Sequence, residues 1–242
     1  MSQYYSLANY YDSFTGNVDY GRRADFLVRY FTDTNAILLD AGCGTGTISK
    51  LLMDKGYDVI GVDNSPEMLM NARNKNPSQM LLLQDLTELD LYGTVQGAFC
   101  LQDTLNHLSS IEDVDAAIER ISLFLESGCF FIFDINTLYK HSCVLSNNTF
   151  IYQNEAAFCI WQNTYHPDNG AVDIDLDVFS RIGNSQRYER CSESFREILI
   201  PSDTLDNLLV IHDLSLEQIL DGDTLKEVND KTQRLLYVTR KN

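Results

Sequence analysis

The chain has 242 residues, of which 44% are hydrophobic and 22% charged, as expected for one globular domain or a domain with an insertion. Its 35 acidic and 18 basic side chains give a formal net charge of −17, which disfavours nucleic acids and anionic membranes as partners. The first residues lack the basic and apolar stretches of a signal peptide, and no apolar run approaches the roughly 20 residues of a membrane helix, so we expect a cytoplasmic protein.

No sequence pattern predicts a bound metal. The six cysteines are far apart in the chain and none forms a C-x-x-C pair, which favours reduced thiols over a zinc site. Asp173, Asp175 and Asp177 resemble the start of a calcium loop, but Val178 stands where such a loop needs glycine. We therefore interpret the three aspartates as the solvent face of a strand.

Short apolar runs alternate with helical patterns over the first two thirds of the chain, which is typical of a parallel sheet with crossover helices. Helices are predicted to follow Ser65 and Ser110, since serine is a favourable N-cap residue and Pro66 suits the first helical position. The predicted strands cover residues 37–40, 58–63, 80–83, 98–101 and 129–133.

The pattern changes after residue 134. Apolar residues alternate with aspartates over residues 172–178, which predicts a half-exposed antiparallel strand, and we interpret residues 139–202 as an antiparallel insertion. After Pro201 the sequence predicts a short helix, a strand near residues 209–211 and a last strand at residues 235–239.

A glycine loop, Asp40-Ala-Gly-Cys-Gly-Thr-Gly46, follows the first predicted strand and precedes a predicted helix. Glycines at this position let the backbone turn sharply and approach a ligand closely. A dinucleotide-binding loop would need a further glycine at position 47, which is Thr47, and the Asp40 carboxylate would repel a pyrophosphate. The same carboxylate suits a ligand that carries an ammonium group.

Two more acids end the next strands. Asp63 ends the second predicted strand, where its carboxylate can accept both hydroxyls of a ribose, and Asp85 follows the third. The spacing of 21 residues between Gly42 and Asp63 does not by itself separate a dinucleotide from another nucleoside ligand.

With this loop, these acids and this strand spacing, residues 20–135 resemble the class I S-adenosylmethionine-dependent methyltransferases, in particular bacterial small-molecule enzymes with a β insertion after strand 5. The resemblance implies a Rossmann-like α/β fold with a seven-stranded, mostly parallel sheet whose last strand is antiparallel. It divides the chain into a core with an N-terminal lid segment (1–138), an antiparallel β insertion on the acceptor side (139–202) and a C-terminal completion of the sheet (203–242).

The resemblance also implies S-adenosylmethionine as the cofactor and assigns residues to each of its parts. The loop holds the methionine end, Asp63 the ribose, and the residues around Asp85 the adenine, while two tyrosines close the site as a lid. The implied cofactor-binding residues are Tyr11, Tyr20, Asp40, Ala41, Gly42, Gly44, Asp63, Asn64, Met68, Asp85, Leu86 and Leu101.

The acceptor is less visible in the sequence. The segment after the fourth strand, residues 101–107, lacks the Asn/Asp-Pro-Pro-Tyr/Phe motif typical of enzymes that methylate adenine or glutamine amides. His107 is either a general base or a packed side chain, and no catalytic residue is assigned. The candidate acceptor-binding residues are Asn106, Trp161, Tyr165 and Arg196. Aromatic and guanidinium groups in the insertion suit a small, anionic acceptor, unless the rings only cover the sheet and the arginines pair with its carboxylates.

The sequence thus predicts S-adenosylmethionine-dependent SN2 methyl transfer to the nitrogen or oxygen of a small molecule. A protein methyltransferase and a non-catalytic S-adenosylmethionine-binding or interaction protein are the alternatives, and an oxidoreductase is a distant third. The oligomeric state is not indicated by the sequence.

Overall fold

A seven-stranded sheet organises the molecule, and the computed structural model describes residues 8, 10–16, 18–154, 157–183 and 185–242. Residues 1–7 of the predicted lid segment therefore lie outside the described residues. The helices are α1 (Tyr11–Phe14), α2 (Tyr20–Leu27), α3 (Thr47–Met53), α4 (Pro66–Lys75), α5 (Ile111–Phe124) and α6 (Ser202–Ile211), with 3₁₀ turns at Leu86–Glu88 and Thr104–His107 and a π-helix at Lys140–Leu145. The strands are β1 (Ile37–Ala41), β2 (Asp58–Asp63), β3 (Met80–Leu83), β4 (Gly97–Cys100), β5 (Phe130–Asn136), β6 (Thr149–Gln153), β7 (Ala157–Tyr165), β8 (Val172–Arg181), β9 (Tyr188–Glu197), β10 (Leu214–Asp221) and β11 (Arg234–Lys241).

The large sheet has the strand order β10-β11-β5-β4-β1-β2-β3. The pairs among β1 to β5 are parallel, whereas β11 is antiparallel to both β5 and β10. The predicted seven-stranded, mostly parallel fold with an antiparallel last strand is therefore confirmed. Because parallel strands end at one edge, the loops that follow β1, β2, β4 and β5 meet there, where ligands bind in sheets of this kind.

Two helices of the core begin as their sequence predicts. The Ser65 hydroxyl accepts the backbone N–H of Met68 at 3.2 Å, ahead of Pro66, and Ser110 caps α5 through the N–H of Asp113, also at 3.2 Å. The stripe of α5 that includes Val114 is fully buried in a core that also contains residues of the large sheet, so this stripe is the face by which the helix packs.

The insertion forms a second sheet of four antiparallel strands in the order β6-β7-β8-β9. On β8, Val172, Ile174, Leu176 and Val178 are buried, while the intervening aspartates point to the opposite face. The predicted antiparallel insertion is confirmed, whereas the domain boundaries at residues 138 and 202 stay predictions.

One predicted element is wrong. Residues 209–211 do not form a strand but belong to α6, and the strand follows later, as β10. These residues are helical because Leu205, Leu208 and Leu209 have helical spacing and all three are buried against the core.

Three further findings bear on the composition. The six cysteines are unpaired thiols. In the described ranges, no three His, Cys, Asp or Glu side chains gather into a group that could hold a metal ion. Nor does any described helix have the length and apolarity needed to span a membrane.

Candidate cofactor and acceptor site

A cavity of about 320 Å³ lies at the carboxyl edge of the large sheet, between that edge, the N-terminal segment and the insertion sheet. It is lined by the glycine loop, by the ends of β2 and β3, by the segment after β4 and by the inner face of the insertion. Of the residues predicted from the sequence, those that line it are Tyr11, Tyr20, Asp40, Gly42, Gly44, Asp63, Asn64, Met68, Asp85, Leu86, Leu101 and Trp161.

The glycine loop turns through left-handed backbone at Gly42 (φ +78°), Gly44 (φ +53°) and Gly46 (φ +72°). A Cβ on Gly42 would lie 2.3 Å from Thr104 Cγ2, so only glycine fits between the loop and the segment after β4. A Cβ on Gly44 would meet no atom within 4 Å. Gly44 therefore offers its backbone to open space in the cavity, as a loop that cradles a ligand does.

Asp63 lies at the end of β2 and holds two backbone donors. Its Oδ2 accepts the N–H of Gly44 at 2.8 Å, and its Oδ1 accepts the N–H of Ser65 at 2.9 Å. Burial raises the pKa of Asp63 above its usual value, while the backbone hydrogen bonds oppose that effect.

Asp40, at the end of β1, is buried beneath the loop and accepts a 2.6 Å hydrogen bond from the Ser49 hydroxyl. Burial raises the pKa of Asp40 to about 7, and the neighbouring Asp63 carboxylate contributes to that rise. A cationic group near Asp40 would therefore stabilise its ionised form.

Asp85, Leu86 and Met68 form the opposite end of this part of the cavity. The Asp85 carboxylate accepts the backbone N–H of Thr87 at 2.9 Å and so caps the 3₁₀ turn, which fixes the direction of Leu86. Leu86 and Met68 are buried and apolar, a suitable environment for the faces of a planar base.

These residues fit S-adenosylmethionine better than a dinucleotide. The carboxylates of Asp40, Asp63 and Asp85 can accept hydrogen bonds from an ammonium group, from ribose hydroxyls and from a base amine, whereas they would repel a pyrophosphate. The open space above Gly44 leaves room for the ligand directly on the loop.

A strained turn after β4 separates this end of the cavity from the insertion. Gln102 (φ +63°) and Asp103 (φ +55°) are both left-handed, and their N–H groups donate to the Asp134 carboxylate at 3.1 and 2.6 Å. Asp134 is fully buried and also pairs with Arg234 at 2.8 Å and with Arg23 at 3.2 Å. The two ion pairs thus anchor the acid that stabilises the turn.

A polar chain runs from this turn to the insertion. Arg234 Nη2 donates to Asp103 Oδ2 at 2.8 Å, and Asn136 Nδ2 donates both to Asp103 Oδ2 at 2.9 Å and to Glu197 Oε2 at 2.7 Å. Burial by itself would raise the pKa of Asp103, but the Arg234 charge, together with Lys140 and the Asn136 hydrogen bond, holds this pKa well below its usual value. Glu197 is buried and lines the cavity.

The inner face of the insertion sheet supplies mainly aromatic side chains. Trp161 lies 6.1 Å from the Tyr152 ring between centroids and donates its indole N–H to Asn163 Oδ1 at 2.6 Å. The Phe195 ring centroid lies 5.1 Å from that of His107, whose Nε2 is 3.9 Å from Asp103 Oδ1. His107 lines the cavity, and its role as a general base stays a hypothesis.

Four residues predicted for the site do not line the cavity. Ala41 is fully buried within β1, and Tyr165 packs against the core of the insertion. Asn106 is fully buried and donates from Nδ2 to the Ile198 carbonyl oxygen at 2.8 Å. Arg196 pairs with Asp173 at 2.5 Å on the outer face of the sheet. The structure thus brings Trp161 to the cavity but not the other three predicted acceptor residues.

Sequence reasoning missed several lining residues: Asp103, Lys140, Phe195, Glu197 and Arg234. For Phe195 and Glu197 the sequence shows only that they lie on the face of β9 opposite to Arg196, because consecutive strand residues point to opposite faces. Nothing local in the sequence pointed to Arg234, which is 131 residues from its partner Asp103.

The N-terminal segment closes the remaining side. Tyr11 and Tyr20 line the cavity, and the Tyr20 hydroxyl donates to Thr15 Oγ1 at 3.0 Å. Asp12, beside Tyr11 on α1, accepts hydrogen bonds from Thr45 Oγ1 at 2.6 Å and from Lys75 Nζ at 2.8 Å. The segment is therefore fastened to the glycine loop and to α4, in the position of the predicted lid.

Comparison with known proteins agrees with this geometry. Residues 38–128 match the family described as a methyltransferase domain. A solved S-adenosylmethionine-dependent methyltransferase from Clostridium acetobutylicum ATCC 824 is 30% identical, with 99% of each chain covered and a TM-score of 0.87.

Two curated relatives extend the comparison. YqeM of Bacillus subtilis (strain 168), whose name describes it provisionally as a methyltransferase, is 27% identical over 99% of this chain and 97% of its own. A dTDP-3-amino-3,6-dideoxy-alpha-D-glucopyranose N,N-dimethyltransferase from Streptomyces fradiae is 35% identical over 43% of this chain and 42% of its own. With the full-length likeness to the clostridial enzyme, the chain belongs to the S-adenosylmethionine-dependent methyltransferases.

Proposed function

We propose that the protein transfers the methyl group of S-adenosylmethionine to the nitrogen of a small-molecule amine. One observation carries the proposal: the acceptor end of the cavity combines aromatic side chains, among them Trp161 and Phe195, with the buried Glu197 carboxylate. Aromatic faces and carboxylates attract amino groups, whereas they give little to an anion. The predicted anionic acceptor is not retained, because Arg196 points away and the charge of Arg234 is balanced by Asp103 and Asp134.

The side chains around the cavity have little covalent chemistry to perform. S-adenosylmethionine supplies an activated methyl group, so that a C–N bond forms as a C–S bond breaks and the electron pair stays on sulfur. The glycine loop and Asp63 fix one reactant, and the aromatic residues of the insertion fix the other and exclude water. Such alignment can contribute roughly 7–11 kcal/mol toward the barrier.

The position of the acceptor end supports a small molecule over a protein side chain. This end lies beneath the insertion sheet and behind α1, so a substrate has to fit between Trp161, Phe195 and Tyr11. The Streptomyces fradiae relative, named for an amino sugar, is consistent with an amine held in such a space. The net charge of −17 argues against a nucleic acid as the methyl acceptor. We also propose that the protein acts in the cytoplasm.

The test is methyl transfer with methyl-labelled S-adenosylmethionine and acceptors in matched pairs. Each small primary amine, including a dTDP-3-amino sugar, is paired with the alcohol of the same carbon skeleton, and a lysine-rich peptide is added. We expect label in amines only. Label in the alcohols would overturn the proposal and point to His107 as a base, and label in the peptide would favour a protein methyltransferase. No labelled product from a protein that binds S-adenosylhomocysteine would favour a non-catalytic binding protein.

A further inference from the structure

Glu197 and His141 form a buried pair behind the acceptor end of the cavity. Glu197 Oε2 lies 3.3 Å from His141 Nε2 and accepts the Asn136 amide at 2.7 Å. His141 is fully buried on the π-helix, and Glu197 lines the cavity from the last position of β9. Glu197 can therefore be reached from the cavity, whereas its partner His141 cannot.

The Gly170 carbonyl indicates that Nδ1 of the His141 ring carries a hydrogen. His141 Nδ1 lies 2.8 Å from the Gly170 carbonyl oxygen, and a carbonyl oxygen only accepts, so Nδ1 carries a hydrogen. A neutral imidazole would then leave Nε2 as a bare acceptor 3.3 Å from Glu197 Oε2, buried and without a hydrogen-bond partner among the described residues. Two acceptors this close in a buried site repel each other, so a proton on one of them stabilises the pair.

We place that proton on the imidazole, because Glu197 Oε2 already accepts the Asn136 amide N–H at 2.7 Å, a contact that favours the ionised carboxylate. The pair is then an imidazolium beside a carboxylate and is neutral as a whole. Other charged side chains near it are Lys140, Arg234 and Asp103, of which Arg234 and Asp103 are paired with each other at 2.8 Å.

The second oxygen of Glu197 is the one available to the acceptor. Oε2 is engaged by Asn136 and His141, whereas among the described residues no hydrogen bond reaches Oε1. With Glu197 lining the cavity, Oε1 is the oxygen that remains for a ligand.

We propose that Glu197 Oε1 receives an N–H of the acceptor amine and that His141 is the positioning residue that keeps Glu197 oriented and its charge balanced. The inference rests on the proposed function and specifies how the amine is recognised. An unbalanced carboxylate would hold the acceptor as an ammonium ion, which has no lone pair for attack. A carboxylate already neutralised by an imidazolium accepts a hydrogen bond from the neutral, reactive amine.

The first test reads the pair directly. Nitrogen-15 NMR of the histidine rings, in the full chain with S-adenosylhomocysteine, should show His141 with both ring nitrogens protonated at pH 7. Glu197→Gln should convert this signal to that of a neutral ring with its hydrogen on Nδ1. A neutral His141 ring in the unchanged protein would overturn the proposal, whether or not the variant folds.

The second test measures binding of two probes by calorimetry to the same complex. Benzylamine, an ammonium ion at neutral pH, carries a positive charge and donates N–H hydrogen bonds, whereas benzyltrimethylammonium carries the same charge without a donor. Glu197→Gln should weaken benzylamine binding by about tenfold or more, as expected for a hydrogen bond to a charged group. Benzyltrimethylammonium should change by less than about twofold, because its contacts are with the aromatic residues.

The matched control is Glu193→Gln; Glu193 lies four residues earlier than Glu197 on the same face of β9 but outside the cavity lining. It should leave both probes unaffected. Equal losses for both probes in Glu197→Gln, no loss, or a wild-type protein that binds neither probe would contradict the proposal. Neither test uses methyl transfer, so failure of the amine acceptor assay remains distinguishable from failure of the Glu197 assignment.

Discussion

Asp63 accepts the backbone N–H of Gly44 at 2.8 Å, so the acid at the end of β2 and the loop after β1 hold each other in place. The loop follows β1, which is the parallel neighbour of β2, and the register brings the ends of the two strands side by side. Gly44 has left-handed backbone and open space on the cavity side. The pair is therefore both a structural link of the loop and the wall on which the cofactor is expected to lie.

Replacing Gly44 by alanine distinguishes its role in folding the loop from its role as the wall of the cofactor site. Gly44→Ala places a methyl group into the cavity and a side chain at φ +53°, which costs about 1–2 kcal/mol of folding free energy. We expect a folded protein whose affinity for S-adenosylhomocysteine, measured by calorimetry, falls at least about tenfold because the methyl group occupies ligand space.

Gly56→Ala is the matched control, since Gly56 is also left-handed (φ +98°) and also meets no atom within 4 Å, but it lies at the end of α3 outside the cavity. It should lower the melting temperature while leaving the affinity unchanged. Equal affinities of the two variants would show that the ligand does not rest on Gly44.

Asp63→Ala removes the acid itself. Loss of charge-assisted hydrogen bonds to two hydroxyls is expected to weaken S-adenosylhomocysteine binding by about 100-fold or more. Asp58→Ala, at the exposed start of the same strand, is the control for the strand and should bind normally. Binding of the Asp63 variant at wild-type strength would remove Asp63 from the site.

The cofactor end of the site was predictable because its signals are local. Apolar runs define the strands, and the glycines and acids that follow β1 and β2 stand next to them in the chain. The bounds of β2 and β3 agree with the predicted residues 58–63 and 80–83. A parallel sheet then brings these ends together without any further information.

The acceptor end could not be predicted in the same way. On β9 the composition singles out Arg196, but a strand pattern alone does not say which face covers a cavity, and the inner face carries Phe195 and Glu197. The network of Arg234 with Asp103 and Asp134 joins residues 131 and 100 positions apart, so only the folded chain reveals it.

Cofactor affinity should depend on pH through Asp40. The pKa of Asp40 is raised to about 7 by burial, and an ammonium group of the ligand needs the ionised carboxylate. Affinity for S-adenosylhomocysteine should therefore be about tenfold weaker at pH 6 than at pH 8. Calorimetry across this range tests it, and Asp40→Asn should bind weakly at every pH. A wild-type protein with constant affinity from pH 6 to 8 would contradict the role of Asp40.

The same raised pKa affects folding. Since the pKa of Asp40 in the folded chain exceeds its unfolded value, its contribution to stability is present at pH values below the unfolded pKa and is lost as pH rises through about 7. Asp40→Asn should therefore raise the melting temperature at pH 8 and change it less at pH 5. A variant less stable than the wild type at pH 8 would show that the Ser49 hydrogen bond outweighs the cost of burying the charge.

Asp12 should control how long the cofactor stays bound. It fastens α1 to the glycine loop through Thr45 and to α4 through Lys75, and the neighbouring Tyr11 lines the cavity. Burial would raise the pKa of Asp12, but hydrogen bonds from Lys75 and Thr45 lower it, so the carboxylate is ionised at neutral pH.

Asp12→Asn should speed dissociation of S-adenosylhomocysteine about five- to tenfold, the effect of weakening one partly exposed ion pair and its hydrogen bonds. Stopped-flow fluorescence measures this rate. Asp54→Asn, which removes an exposed ion pair with Lys50 elsewhere, should leave the rate unchanged. Similar dissociation rates in the Asp12 variant and the wild type would mean that the N-terminal segment does not retain the ligand.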